Sequence, residues 1–165
     1  MSAVQGRLAA ACMALVTVAS SDPALADPLG QTRLAPSDIA SLAKSSAGPG
    51  TSGIGAIRST VLSGNPGEAG PYTIALHVPA GTMIAAHTHR DDRTVVVVSG
   101  TWWFGYGPLN ERSRLKRLPA GSFDTEPADQ PHFARTGRDP ALVFITGNGP
   151  SDTQYVDAGA DPTRR

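Results

Sequence analysis

The sequence predicts a small all-β protein, a sandwich or barrel of antiparallel strands preceded by one short helix. Short β-favouring runs recur from residue 71 onward, and turn residues, mostly Gly and Pro, separate them. Runs of this length and spacing are typical of a β-sandwich or barrel, whereas strands that alternate with helices need longer segments between them. A second observation is the pair His87 and His89, because residues two apart on a strand point to one face.

The Gly and Pro turn residues set the boundaries of the predicted elements. Eight strands are predicted, over residues 72–78, 83–89, 94–98, 101–106, 114–118, 122–126, 131–136 and 141–146. Before them, residues 37–47 predict a short helix that starts after Pro36 and stops at Gly48, and residues 57–62 predict an edge strand. The four valines at 95–98 predict a strand buried on both faces, one of them covered by the partner in a homodimer.

The first 26 residues have the pattern of a signal peptide. Arg7 supplies a positive charge, an apolar run follows, and Ala24-Leu25-Ala26 forms a small-residue cleavage site before Asp27. The apolar run is short for a membrane span, and an uncleaved anchor is the alternative. We therefore expect a periplasmic or secreted protein. The expected organisation is a signal peptide (1–26), an N-terminal extension (27–70), a barrel domain (71–156) and a C-terminal tail (157–165).

Charge and cysteine content exclude several classes of partner and site. Cleavage after Ala26 removes one basic and one acidic residue from the 14 of each, so the mature chain is neutral. Neutrality argues against nucleic acid and against an anionic membrane surface as partners. Cleavage also removes Cys12, the only cysteine. The mature protein can therefore form no disulfide, and a metal site in it must use His, Asp or Glu.

Three of the four histidines are candidate metal ligands. His87 and His89 project together, and His132 lies on another short strand after a Pro-rich turn. Neutral imidazole is the commonest protein ligand for Zn, Cu, Fe and Ni. His77, on the strand before Pro79, is better explained as a packed or surface histidine. The sequence therefore predicts a three-histidine site, provided that the fold brings His132 to the first pair.

Two motifs in the chain resemble those of the cupin superfamily, which are small jelly-roll β-barrels. The first motif is Gly, five residues, His-x-His, three or four residues, Glu, six residues, Gly; it is matched by Gly81, His87, His89 and Gly100. The second is Gly, five residues, Pro-x-Gly, two residues, His, three residues, Asn. It is matched by Gly121, Pro127 and His132, whereas Asp129 replaces its last Gly and Thr136 its Asn. The resemblance covers about residues 71–147 and implies a cupin-type jelly-roll barrel that binds one divalent metal.

One departure from the first motif bears directly on the site. Arg93 stands where the family has its metal-binding Glu, and a guanidinium has no lone pair for a metal. The implied ligands are therefore His87, His89 and His132 alone. Asp91 or Asp92 in the preceding turn is a candidate substitute, and alternation favours Asp91.

The role of Arg93 remains open between two alternatives. As a site residue it repels a divalent metal unless an anion lies between them, so it predicts a substrate carboxylate or enolate held by both. Arg93 is on this hypothesis the candidate catalytic residue. The alternative is an outward-pointing Arg93 that pairs with Asp91 or Asp92 on the surface.

The expected cofactor is one divalent metal ion. Three histidines and a water suit zinc, and a facial three-histidine set with open positions suits Fe(II), as in some dioxygenases of this superfamily. Mn, Ni and Cu are further alternatives, and a barrel that has lost its metal is another. Trp102, Phe104 and Tyr106 share one face, where they line a pocket, the core or a dimer interface.

Two functions follow from this site. One is a metal-dependent enzyme, dioxygenase-, isomerase- or hydrolase-like, that acts on a small organic acid or diketone-like substrate. The other is a non-catalytic sensor or binding protein for a small ligand or for the metal itself. A deep pocket with an open metal position favours the enzyme, and a closed metal shell favours the binding protein.

Overall fold

Two five-stranded antiparallel sheets form the body of the protein in the computed structural model, which describes residues 29–46 and 48–164. The predicted signal peptide lies outside the described residues. The strands are β1 (Arg58–Ser63), β2 (Gly70–Val78), β3 (Met83–Thr88), β4 (Arg93–Ser99), β5 (Thr101–Tyr106), β6 (Lys116–Pro119), β7 (Phe123–Glu126), β8 (His132–Thr136), β9 (Ala141–Gly149) and β10 (Gln154–Tyr155). The helical parts are α1 (Pro36–Ser41) and 3₁₀ turns at Arg112–Arg114, Ala158–Ala160 and Pro162–Arg164. The prediction of an all-β protein with a short N-terminal helix is confirmed.

Each of the two motif segments contributes one strand to each sheet, β4 and β7 to the first and β3 and β8 to the second. The first sheet has the order β1-β2-β9-β4-β7, and the second has the order β10-β3-β8-β5-β6. Alternate residues of both sheets point between them and form one apolar core. Its members are Ile57, Tyr72, Ile74, Leu76, Val78, Ile84, Val95, Val97, Trp102, Phe104, Leu118, Ala134, Ala141, Val143 and Ile145. Among the described residues, no helix is long and apolar enough to cross a membrane.

The valine run in β4 alternates between core and surface. Val95 and Val97 are 0% and 1% exposed, whereas Val96 and Val98 are 44% and 39% exposed. Within the single chain, β4 is therefore buried on one face only, and cover of the other face by a partner stays a prediction. The reason is that β4 lies in an antiparallel sheet, which packs one face on the core and leaves the other outside. The homodimer stays a prediction.

The N-terminal helix is shorter than predicted because another interaction takes up the backbone that follows it. Asp38 accepts a hydrogen bond from the amide of Ala35 at 2.7 Å and so caps the helix start. After Ser41 the chain turns, and Ser45 exchanges backbone hydrogen bonds of 2.9 and 2.7 Å with Ser59 of β1. Pairing with the edge of β1 thus ends the helix at Ser41.

Both departures from the second motif have a structural explanation. Asp129 has a φ of 57° and is the one described residue other than glycine with a positive φ. Asp tolerates this left-handed conformation better than most residues, so it can replace the motif's Gly. Thr136 is fully buried; its hydroxyl donates to the Pro79 carbonyl at 2.6 Å and accepts from the Thr82 amide at 2.9 Å. It therefore braces the turn that precedes β3.

The alternation in β4 predicts different costs for two similar substitutions. Val97→Ala should lower the free energy of unfolding by about 1–3 kcal/mol, because it leaves a cavity in the core. Val96→Ala should change it by less than about 0.5 kcal/mol, because the side chain is exposed. Urea denaturation of both variants measures the difference, and equal costs would contradict the observed alternation.

Candidate metal centre

The fold brings His87, His89 and His132 together inside the barrel. His87 and His132 are direct cross-strand partners in β3 and β8, and His89 follows the end of β3. The ring centroids are 4.4 to 5.1 Å apart, and one nitrogen from each ring lies within 4.8 Å of the others. All three side chains are buried. His77 lies on β2 outside this cluster, as the sequence predicted.

Backbone carbonyl groups determine which nitrogen of each ring is free. A carbonyl oxygen can only accept a hydrogen bond, so the Nδ1 atom beside it carries the proton and Nε2 keeps its lone pair. The Nδ1 donors and their acceptors are His87 with Ala85 at 2.7 Å, His89 with Asp152 at 2.5 Å and His132 with Gln130 at 3.0 Å. Metal-binding histidines are typically oriented in this way by their second nitrogen.

Burial keeps the three imidazoles neutral. It lowers the pKa of His87 to about 3, with a further contribution from the charge of His132. Burial likewise lowers the pKa of His132. The pKa of His89 is lowered by burial and by the adjacent Arg93 guanidinium. Three neutral imidazoles with inward lone pairs are the form that a metal ion requires.

Arg93 points into the barrel rather than to solvent. Its side chain is buried, and its guanidinium has three partners. Nε donates to Glu126 at 2.6 Å, Nη1 to the Gly50 carbonyl at 2.8 Å, and Nη2 to His89 Nε2 at 2.5 Å. Nη2 also forms an ion pair with Glu126. The surface alternative for Arg93 is therefore wrong, and the residue stands beside the histidine cluster.

Glu126 is the site residue that the sequence analysis missed. It is the cross-strand partner of Arg93, in β7 opposite the start of β4, and it is buried. Its Oε1 lies 3.8 Å from His132 Nε2. Burial opposes ionisation of Glu126, but the charge of Arg93, the neighbouring His132 and His87, and the hydrogen bond from Arg93 together outweigh it, so the pKa of the carboxyl is lowered. The sequence did offer one signal for it. Strand alternation in residues 122–126 places the side chains of Asp124 and Glu126 on the same face, and both are buried.

Neither aspartate of the turn joins the histidine cluster. Asp91 is buried, as alternation favoured, but its two oxygens accept hydrogen bonds from Tyr72 at 2.8 Å and Ser151 at 2.6 Å. Asp92 accepts from the amide of Ala128 at 2.8 Å. Both are thus engaged in holding the turn and its neighbours. The described metal-ligand cluster contains the three histidines only.

Two segments outside the predicted barrel strands close the site. One is residues 50–52, and the other is residues 151–155, which end in β10, a strand that the sequence analysis did not predict. The Tyr155 hydroxyl donates to the Ser52 carbonyl at 2.6 Å, and the Thr153 hydroxyl to the Thr51 carbonyl at 2.9 Å. Because Gly50 binds Arg93, the first segment is also tied to the site itself.

The aromatic strand β5 supplies one wall of the site. Trp102 and Phe104 are buried, and the Phe104 ring lies 5.5 Å from that of His132 in a stacked arrangement. Tyr106, at the end of the strand, is 47% exposed, and its hydroxyl donates to the Thr125 carbonyl at 2.7 Å. A groove of about 400 Å³ is lined by Phe104, Tyr106, Arg114, Lys116, Leu118, Phe123, Asp124 and Thr125. The groove therefore reaches the ring that packs on His132.

The residues present fit a divalent metal ion. The Nε2 atom of His132 is buried without a hydrogen-bond partner, a costly state for a polar atom that a metal would relieve. Bonds of about 2.0–2.1 Å to one ion place two tetrahedral ligands roughly 3.4 Å apart, so imidazole nitrogens that lie within 4.8 Å of one another must approach by up to about 1.4 Å. The metal must also displace the Arg93 donor from His89, since one lone pair cannot serve both.

Comparison with solved structures identifies the architecture. The polyketide cyclase RemF from Streptomyces resistomycificus is 16% identical, with a TM-score of 0.63, over 82% of this chain and 94% of that protein. A cupin 2 conserved barrel domain protein from Rhodopseudomonas palustris is 18% identical, with a TM-score of 0.51, over 66% of this chain and 71% of that protein. The chain has the cupin fold.

Other comparisons add little to this cupin assignment. The DMSP lyase DddQ from Ruegeria pomeroyi DSS-3 is 22% identical over 50% of this chain, but the TM-score is 0.44 and the match spans only 40% of that protein. No family model matches the chain, and no curated protein matches it in sequence. Identities this low show a shared fold and no shared activity.

The buried histidines predict that the metal-free protein loses stability in acid. Each is neutral when folded and takes up a proton when unfolded, so each removes about 1.4 kcal/mol per pH unit as the pH falls below about 6.5. Asp124 acts in the opposite direction, because burial and the charge of Glu126 raise its pKa to about 8. His87 and His89, the two histidines whose pKa values are lowered furthest, against one carboxyl leave a net fall of at least roughly 1 kcal/mol per pH unit between pH 6 and 5.

Urea denaturation in the presence of a chelator measures this fall. In Asp124→Asn the opposing proton is removed, so the slope should steepen by about 1.4 kcal/mol per pH unit. A free energy of unfolding that stays level from pH 6 to pH 5 would contradict the neutral, buried state of the histidines.

Proposed function

We propose that this cupin binds one divalent metal ion through the Nε2 atoms of His87, His89 and His132. The observation that carries the proposal is the convergence of three buried imidazoles whose Nδ1 atoms are all held by backbone carbonyls. Zinc and iron are the preferred metals, because both accept imidazole nitrogen, with Mn, Ni and Cu as alternatives.

The function that we infer is a metal-dependent enzyme acting on a small organic acid or a diketone-like substrate. Dioxygenation, isomerisation and hydrolysis are the candidate reactions. A bound divalent metal supplies Lewis-acid chemistry or an activated water for such reactions. Support comes from the groove beside Phe104, which offers a small molecule an apolar wall and an approach toward His132. RemF, which shares the fold, is a polyketide cyclase.

Within this proposal, the chain's own residues have separate tasks. The three histidines hold the metal, and the carbonyls of Ala85 and Gln130 set the orientation of two of the rings. Arg93 is the candidate residue for contact with an anionic substrate, and it already holds Glu126 and His89 in position. Phe104, which stacks on His132, excludes water from one side of the cluster.

A non-catalytic binding protein is the second candidate. The observation that favours it is the closure of the site, since the histidines and Arg93 are each at most 5% exposed. A shell this closed suits a protein that senses or retains the metal. Metal analysis of protein purified from its native compartment, followed by an oxygen-consumption screen where iron is found, separates the two candidates.

Substitution of the histidines tests the metal site. His87→Ala, His89→Ala and His132→Ala should each lower the bound metal at least tenfold, because each removes a ligand that water replaces poorly. His77→Ala is the matched control and should leave the metal content unchanged, since His77 lies outside the cluster. Elemental analysis after equilibration with Zn²⁺ measures the effect. Equal metal content in all four variants would refute the site.

We also propose that the protein is exported and forms a homodimer, with a small-molecule ligand and no nucleic acid as partner. Cleavage after Ala26 would give a mature N-terminus at Asp27. Intact-mass measurement of protein from the periplasm or medium should therefore match residues 27–165. Exported material that still begins at Met1 or Ser2 would contradict the cleavage.

A further inference from the structure

The two oxygens of the Glu126 carboxylate face different groups. Arg93 donates to Oε2, through Nε at 2.6 Å, and its Nη2 is paired with the same oxygen. Oε1 instead faces Nε2 of His132 at 3.8 Å. That distance is too long for a hydrogen bond, and the tautomer of His132 leaves only a lone pair on Nε2. An anionic oxygen and a nitrogen lone pair thus confront each other in a buried space.

Two acceptors in this arrangement indicate a cation between them. His132 Nε2 has no hydrogen-bond partner, and burial makes such an unpaired polar atom costly. Two ligands of one ion, with bonds of about 2.0–2.2 Å, lie between roughly 2.9 Å apart at a right angle and 4.2 Å apart in line. The separation of 3.8 Å falls within this range.

The position of Arg93 is an independent reason to expect an anion between the guanidinium and a metal bound by the histidines. Arg93 Nη2 lies 2.5 Å from His89 Nε2, so its charge stands directly beside a metal bound by the histidines. Two like charges this close in a buried site repel strongly unless an anion lies between them. Glu126 is the carboxylate already in contact with Arg93, and its free oxygen faces the cluster.

We propose that Glu126 is the fourth metal ligand of this chain, binding through Oε1 while Oε2 remains on Arg93. The metal takes the lone pair of His89 Nε2 from Arg93, which keeps its hydrogen bonds to Glu126 and to the Gly50 carbonyl. The carboxylate thereby bridges the metal and the guanidinium and neutralises one charge of each. This assignment rests on the metal binding proposed above.

A competing explanation is that Glu126 only neutralises the buried charge of Arg93. The two roles differ once Arg93 is removed, so the test uses Glu126→Gln, Arg93→Met and the double variant beside the wild type. The double variant leaves neither charge of the pair in the interior, so it avoids an uncompensated buried ion. Glu111→Gln is the matched control, because Glu111 pairs with Arg114 on the surface.

The probe is Co²⁺ alone, measured by competition with a chromophoric chelator and by its visible absorption, which reports the ligands on the metal. Glu126→Gln should weaken binding at least the 10–100-fold that loss of an outer-shell partner costs. Arg93→Met should strengthen binding, because the competitor for His89 is gone. Compared with Arg93→Met, the double variant should bind Co²⁺ at least tenfold more weakly and should show shifted absorption bands.

The outcomes separate this inference from the proposed function. Glu111→Gln should match the wild type in affinity and spectrum. Identical absorption bands in Arg93→Met and in the double variant would overturn the assignment of Glu126 as a ligand. A wild-type protein that binds no Co²⁺ or Zn²⁺ would instead overturn the metal site as a whole. Metal-free circular dichroism of each variant establishes that it has folded.

Discussion

The buried ion pair between Arg93 and Glu126 is the interaction on which the rest of the site depends. It joins the first residue of β4 to the last residue of β7, at the end of the barrel that holds the histidines. Removing one partner of such a pair typically costs about 3–5 kcal/mol, because a charge remains buried without compensation. The pair itself need not stabilise the fold, so its presence is better explained by what it holds in place.

The pair connects three separate parts of the chain. Through Arg93 the pair reaches His89 after β3 and the Gly50 carbonyl in the N-terminal segment. Through Glu126 it reaches His132 on β8. The segments over the site are linked in turn, since Tyr155 binds the Ser52 carbonyl. A change at the histidine cluster is therefore coupled by direct hydrogen bonds to the segments that cover it.

Much of the barrel and the histidine cluster could be predicted from the sequence. Strand positions follow from the Gly and Pro turns, and the two-residue spacing of His87 and His89 dictates a common face. Which valines of the run face the core was not predicted, because a run of identical residues carries no alternation that distinguishes the two faces. Nor was β10, a two-residue strand whose pairing with β3 depends on where the chain returns.

The sequence by itself determined the ligand types and the loss of the usual carboxylate from the first motif. Only the tertiary structure decided which carboxylate lies beside Arg93. Cross-strand partners are set by the register between β4 and β7, and two other strands separate these along the chain. Arg93 and Glu126 lie 33 residues apart in the chain, and nothing in their separate contexts marks them as neighbours. The burial that makes their pairing obligatory exists only once both sheets have closed around it.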